Sequence, residues 1–201
     1  MASRIVAILR KIDVSKAKDI ARAILDGGVC AMEVTMDTPG ALEAIQTIKS
    51  DLGSKAAVGA GTVLDPETAR LALLSGAEFL VAPNLNADVI RLGNRYGRLV
   101  IPGCATPSEI ETACEAGADI IKLFPAADLG PGYIKSVKSP LGHITVMATG
   151  GISLDNADAF LAAGADILGV GGNLISKEAV ARGDFQAIAD YAAKLAAKTR
   201  A

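Results

Sequence analysis

Gly117-Ala118-Asp119-Ile120-Ile121 recurs along the chain as Gly76-Ala77-Glu78-Phe79-Leu80 and as Gly164-Ala165-Asp166-Ile167-Leu168. In each copy a glycine runs straight into apolar residues, the pattern of a helix that ends on a left-handed residue and turns at once into a buried strand. Glycines of the same kind stand at Gly27, Gly53, Gly97 and Gly142, so the series repeats every 20 to 26 residues. The helix starts agree with this spacing. Thr38-Pro39, Asp65-Pro66 and Thr106-Pro107 each put a capping side chain before a proline at the first helical position, and Thr106 with Glu109 has the spacing of a capping box. Between these signals lie apolar segments at Ile5–Leu9, Cys30–Thr35, Ala56–Gly59, Phe79–Ala82, Leu99–Pro102, Asp119–Phe124, Ile144–Ala148 and Ile167–Val170. Continuous apolar strands alternating with helices predict a parallel sheet covered by helices. Eight such units, at roughly 25 residues each, predict a single (β/α)8 TIM barrel, a fold whose size range starts near about 200 residues. An open doubly wound sheet is the competing architecture. The last amphipathic stretch, about Phe185 to Lys198, reads as the final barrel helix.

Composition narrows the function classes. The 201 residues are 51% hydrophobic and 21% charged, which is a globular balance, and no linker or low-complexity stretch divides them, so residues 1–201 read as one domain. Lys and Arg number 20 against 22 Asp and Glu, without a basic block, which argues against nucleic acid as a partner. Every apolar run is shorter than the roughly 20 residues a membrane span needs, and the N-terminal run lacks the form of a cleavable signal. Cys30, Cys104 and Cys114 have neither metal nor disulfide spacing and read as reduced core thiols of a cytoplasmic protein. Lys135 and Lys138 read as a solvated helix face.

In a barrel of this kind alternate strand residues point inward and chemistry sits at the C-terminal ends of the strands. Two inward positions carry ionisable groups. Lys122 lies in Ile120-Ile121-Lys122-Leu123-Phe124-Pro125. Desolvation lowers the pKa of a buried ammonium, and an amine made partly neutral attacks a ketone to give a Schiff base. A snorkelling or structurally paired lysine is the alternative. Glu33 lies in Ala31-Met32-Glu33-Val34-Thr35; beside Lys122 it could move protons at neutral pH, or form an idle ion pair. Thr149-Gly150-Gly151 and Gly169-Val170-Gly171-Gly172-Asn173 follow the last two strands, where barrels often bind phosphate, although loops also use glycine for conformation alone. Arg10 ends the first strand and Gly59-Ala60-Gly61-Thr62 the third. An arginine fork with a nearby hydroxyl suits a carboxylate, and a solvated loop charge is the bland alternative for Arg10.

The single histidine, His143, is placed at the start of the seventh strand, on the bottom face. Metal-dependent aldolases and epimerases of barrel type need several His and carboxylate ligands. Isomerases of the triosephosphate type need a neutral histidine beside the substrate, and a Ser-His-Asp triad needs one as well. Lysine–carboxylate chemistry survives this elimination.

The assembled residues resemble the class I 2-keto-3-deoxy-6-phosphogluconate (KDPG), 4-hydroxy-2-oxoglutarate and 2-keto-3-deoxy-6-phosphogalactonate aldolases. The resemblance rests on Ile5-Val6-Ala7-Ile8-Leu9-Arg10, Met32-Glu33-Val34-Thr35, Val58-Gly59-Ala60-Gly61-Thr62-Val63, Ala82-Pro83-Asn84, Ile101-Pro102-Gly103, Ile121-Lys122-Leu123-Phe124-Pro125, Thr149-Gly150-Gly151 and Gly171-Gly172, in family order over about residues 4 to 176. It implies that Lys122 forms the imine with pyruvate or the keto acid and that Glu33 shuttles protons through a water. It further implies that Thr62 and Pro83 line the pyruvyl group, that Phe124 packs on it and that Thr149 contacts the substrate chain. Gly150, Gly151, Gly172 and Asn173 would hold the phosphate. The family is commonly a homotrimer and needs no metal or other cofactor.

Three departures stand out. Some members carry a substrate-binding arginine where this chain has Asp37, which leaves Arg10 as the carboxylate partner. Asn173 replaces a serine found in several members. With the first strand starting at Ile5, the usual N-terminal cap helix is expected to be missing or replaced, exposing apolar surface at the barrel bottom. The resulting expectation is an aldolase that cleaves a 2-keto-3-deoxy sugar acid phosphate to pyruvate and an aldehyde. The rivals are a 4-hydroxy-2-oxoglutarate aldolase, a non-catalytic or engineered trimeric assembly subunit, and a sugar-phosphate binding module without turnover. The C4 stereochemistry of the substrate is not readable, because epimeric hydroxyls differ by one hydrogen bond.

Overall fold

The computed structural model describes residues 3–199. Nine strand segments run β1 Ile5–Leu9, β2 Ala31–Thr35, β3 Ala57–Gly61, β4 Phe79–Val81, β5 Leu99–Ile101, β6 Gly103–Cys104, β7 Ile120–Leu123, β8 Thr145–Thr149 and β9 Ile167–Val170. Ten helices intervene: α1 Ala17–Asp26, α2 Ala41–Leu52, α3 Pro66–Leu74, α4 Ala87–Arg95, α5 Pro107–Glu115, α6 Ala126–Leu129, α7 Pro131–Lys138, α8 Ala157–Ala162, α9 Lys177–Arg182 and α10 Phe185–Lys198. Every strand pair is parallel, in the order β5-β4-β3-β2-β1-β9-β8-β7-β6. The two ends of that series are one strand, interrupted only at Pro102, which has no N–H to give a ladder. The Pro102 carbonyl accepts from Lys122 N at 2.9 Å, while Ile101 O accepts from Ala82 N on the other side at 3.1 Å. The ring is therefore closed with eight staves, as the repeat predicted, and the open sheet is excluded.

Two apolar layers result. The larger lies between sheet and helices. On α1 the stripe Ile20, Ala21, Ala23 and Ile24 is buried, with i, i+3, i+4 spacing, and each isoleucine contributes roughly 1.5–3 kcal/mol. The α10 stripe Ile188, Ala192, Leu195 and Ala196 is buried in the same way. Helices α1 and α10 pack together and close the helical ring. Gly27 lets them approach, since a Cβ there would lie 2.4 Å from that of Ala192. The smaller layer fills the lower barrel interior with Val6, Phe79, Val81, Ile101 and Met147. The Phe79 ring occupies the space above Gly59, 2.5 Å from where a side chain would begin. At the N-terminal ends of the strands Ala31, Leu99, Ile120 and Ile167 are only half-buried.

The caps at Asp65 and Thr106 form as predicted, the second with a complete capping box. Thr38-Pro39 does not start a helix. Helix α2 begins at Ala41 after Gly40 in the left-handed region, and buried Thr38 instead accepts a hydrogen bond from Lys11 N at 2.9 Å. Gly28, not Gly27, takes the left-handed turn after α1, and Gly142 has no positive φ. Strand β3 reaches Gly61, two residues past its predicted end. Lys138 is not simply solvated, because it bonds the Gly164 carbonyl and Asp166. All three cysteines are free thiols, and burial pushes the Cys104 thiol up to about 12. No described helix is long and apolar enough to cross a membrane.

Candidate active site

The upper barrel interior is where apolar filling stops. Strand register places Glu33 on β2 and Lys122 on β7 above the inner plug, facing a shared cavity of about 180 Å³ at the C-terminal ends of the strands. Glu33 is 1% and Lys122 6% exposed. Burial raises the Glu33 carboxyl to about 7, an effect that Lys122 partly offsets. Burial also lowers the Lys122 ammonium; the Glu33 charge opposes that shift and Arg10 reinforces it. The two groups thus move toward one another on the pH scale. They are not locked as an ion pair: Glu33 Oε2 has no hydrogen-bond partner. A buried polar atom left without a partner marks a place where a ligand or water belongs. The Phe124 ring centroid lies 5.0 Å from Lys122 Nζ, within reach to favour a cation there, whether ammonium or iminium.

Thr149 ends β8, and its hydroxyl is buried and also unpartnered. Gly169 makes room for it, since a Cβ at that position would lie 2.3 Å from Thr149 Oγ1. Thr62 lines the opposite wall with φ +56°, a left-handed conformation that costs a β-branched residue about 1–3 kcal/mol and that clusters at functional sites. Gly150 and Gly151, at φ +98° and +72°, continue from Thr149. Side chains there would be strained, and one at Gly151 would also meet Ala127 Cβ at 2.4 Å. Asn173 lies at the cavity edge, but its side-chain amide donates to the Ile152 carbonyl at 2.8 Å and ties the two glycine loops together. Gly172 lies at the same edge and also borders a larger adjoining cleft of about 880 Å³.

Arg10 reaches the cavity and is also half solvated, with Nη2 3.0 Å from Asp37 Oδ2. The residue that departs from the family pattern therefore holds the arginine invoked to replace it. Of the sequence candidates, Pro83 alone does not line the cavity. It sits on the loop after β4, against Gly103, where a Cβ would fall 2.2 Å from its carbonyl carbon. Thr35, Ile8 and Ile152 line the cavity without having been singled out. Thr35 was findable, because it stands two residues after Glu33 in the same inward register. His143 is exposed, just before the N-terminal end of β8 and away from the site.

Comparison with known proteins agrees with this geometry. The family described as KDPG and KHG aldolase matches residues 1–191. A 2-dehydro-3-deoxy-6-phosphogalactonate aldolase of Escherichia coli (strain K12) is 40% identical over 171 residues, 85% of this chain and 83% of the relative. A 2-dehydro-3-deoxy-phosphogluconate aldolase of Treponema pallidum (strain Nichols) is 35% identical over 187 residues, 92% and 88% of the two chains. A solved structure of KDPG aldolase from Legionella pneumophila, with pyruvate captured at low pH as a covalent carbinolamine intermediate, superposes with a TM-score of 0.91 at 25% identity, covering 97% of this chain and 95% of that one.

Proposed function

Since the chain belongs to the KDPG and KHG aldolase family, we propose that it is a class I aldolase cleaving 2-keto-3-deoxy-6-phosphogluconate or its galactonate epimer to pyruvate and glyceraldehyde 3-phosphate. The observation that carries the reading is the buried Lys122–Glu33 couple, which faces one cavity with its proton affinities drawn together and no direct bond between the partners.

Lys122 Nζ, neutral in part because it is desolvated, adds to the C2 ketone and forms a carbinolamine. Glu33 supplies the proton with which the C2 hydroxyl leaves as water, and an iminium remains. Glu33, now a carboxylate, takes the proton of the C4 hydroxyl, directly or through a water. The C4 oxygen becomes the aldehyde carbonyl as the C3–C4 bond breaks, and that bond's electron pair moves into the iminium to give an enamine. Glyceraldehyde 3-phosphate departs. Protonation at C3 and hydrolysis of the iminium then release pyruvate and restore the amine. Arg10 and Thr62 take the substrate carboxylate, Thr149 a chain hydroxyl, and Gly150, Gly151 and Gly172 the phosphate through the backbone.

Borohydride reduction in the presence of pyruvate tests the chemistry. A pyruvyl adduct mapped to Lys122 is expected. No adduct on the folded protein would sink the aldolase reading in favour of a binding module or an assembly subunit. The phosphate reading is tested separately. Inorganic phosphate should compete with the phosphorylated substrate, with inhibition lost in Gly151→Val, whereas insensitivity to phosphate would favour 4-hydroxy-2-oxoglutarate.

We further propose a homotrimer working in the cytoplasm. Leu64, Leu71, Leu74 and Tyr96 are exposed in the region of α3 and the end of α4, with Leu74 at 64%. Apolar side chains grouped in this way mark a contact surface. Light scattering should give three chain masses, and Leu74→Arg should lower that value. A monomeric parent protein would refute the trimer.

A further inference from the structure

Glycines near the site serve two different needs. Gly150 and Gly151 have positive φ, so the backbone itself demands them. Gly61 does not: its φ lies outside the left-handed region, and alanine could adopt its conformation without strain. What Gly61 lacks is space. A Cβ built there would stand 2.7 Å from Glu33 Oε1, 2.8 Å from Cδ and 3.2 Å from Oε2. The Glu33 carboxyl therefore lies across the bare Cα of Gly61.

The register explains the contact. Glu33 pairs with Gly59 and Thr35 with Gly61 on β2 and β3, so Gly61 is the diagonal neighbour of Glu33 on the inward face, one step toward the C-terminal end. Glu33 Oε2 has no hydrogen-bond partner, and Lys122 acts on the carboxyl through its charge without a bond. A catalytic carboxyl with so little polar restraint is placed by the shape of its surroundings. We infer that Gly61 is a positioning residue for Glu33, its missing side chain forming the slot that sets where the proton-transferring carboxyl lies relative to Lys122. This inference rests on the aldolase reading and adds to its machinery a residue outside the cavity lining.

Gly61→Ala should displace the carboxyl while leaving Lys122 and the anion sites in place. Displacing a reacting group by about 1 Å can cost on the order of 100-fold. The expected result is a fall of that size in kcat for cleavage, little change in KM, and a moved acid limb in the pH profile. Borohydride should still trap pyruvate on Lys122 at equilibrium. Glu33→Asp withdraws the carboxyl by one methylene, so adding Gly61→Ala to it should cost little more than Glu33→Asp alone. Multiplying losses in the double variant, or a fully active Gly61→Ala with an unmoved pH profile, would overturn the inference.

If Gly61→Ala does not fold, Glu33→Ala/Gly61→Ala decides the matter. Recovery of the parent melting temperature supports the slot, and continued failure to fold refutes it by placing the clash elsewhere. Absence of a pyruvate adduct in the parent protein would be a failure of the aldolase reading itself, distinct from each of these outcomes.

Discussion

Lys122→Met should eliminate turnover, with kcat/KM falling by at least about 10⁴-fold, because no other described group on the cavity can form the covalent bond. The variant should bind pyruvate without any borohydride-trapped adduct, as read by intact mass. Its fold should survive. Methionine keeps the length and the apolar stem of the lysine and removes a desolvated cation, so the melting temperature should hold or rise. Lys122→Arg is not a conservative change here. The guanidinium stays charged at all relevant pH values and cannot become a nucleophile, so this variant should be inactive and also less stable, carrying a permanent charge into a site where the lysine is 6% exposed. An active Lys122→Met, or an adduct that persists on another lysine, would move the catalytic centre elsewhere.

Glu33→Gln should lower kcat by about 10² to 10⁴-fold, the usual worth of a positioned proton-transfer group. The pH dependence gives a sharper signature. Glu33 must be a carboxylate to take the C4 hydroxyl proton, and its folded pKa lies at about 7. Because it must first give a proton to the leaving C2 hydroxyl, the parent's rate should fall on both sides of about 7, and this dependence should vanish in the variant.

The same shift carries a stability statement. Because burial raises the carboxyl from 4.5 to about 7, the native state binds more protons than the unfolded chain between those values. The parent therefore loses stability as pH rises through that window. The difference in unfolding free energy between Glu33→Gln and the parent should move toward the variant from pH 5 to pH 8, by roughly 3 kcal/mol at most. A flat difference across that range would mean that Glu33 titrates like an exposed carboxyl.

The fold was legible because its signals are local and repeated. A glycine that stops a helix and an apolar run that starts a strand act within a few residues of each other, and seven of the eight strand segments follow a glycine of this kind. Errors came where local chemistry had two uses. Thr38-Pro39 has the form of a helix start, yet the Thr38 hydroxyl accepts from Lys11 N on the neighbouring loop after β1. Pro102 was included as a strand end, whereas the chain continues through it to Cys104 and closes the barrel.

Within the site, residue types were readable and partners were not. A lysine and a glutamate in inward registers announce themselves because burying charge is expensive, and alternation along a strand says which way they point. By the same rule Thr35 should have been named. The capture of Arg10 by Asp37, the use of the Asn173 amide to tie one loop to the other and the withdrawal of Pro83 from the cavity wall depend on loops that meet only after the ring has closed. The sequence by itself determined a parallel eight-stave barrel with an amine and a carboxyl inside it, because hydrophobic period, caps and burial cost operate one segment at a time. Only the tertiary structure decided that these two groups share one cavity without touching, that Thr149 and Glu33 keep unpartnered atoms there, and that Gly61 is bare because a carboxyl lies over it. Those facts are distances between different strands, and distances between strands are set by closure of the barrel.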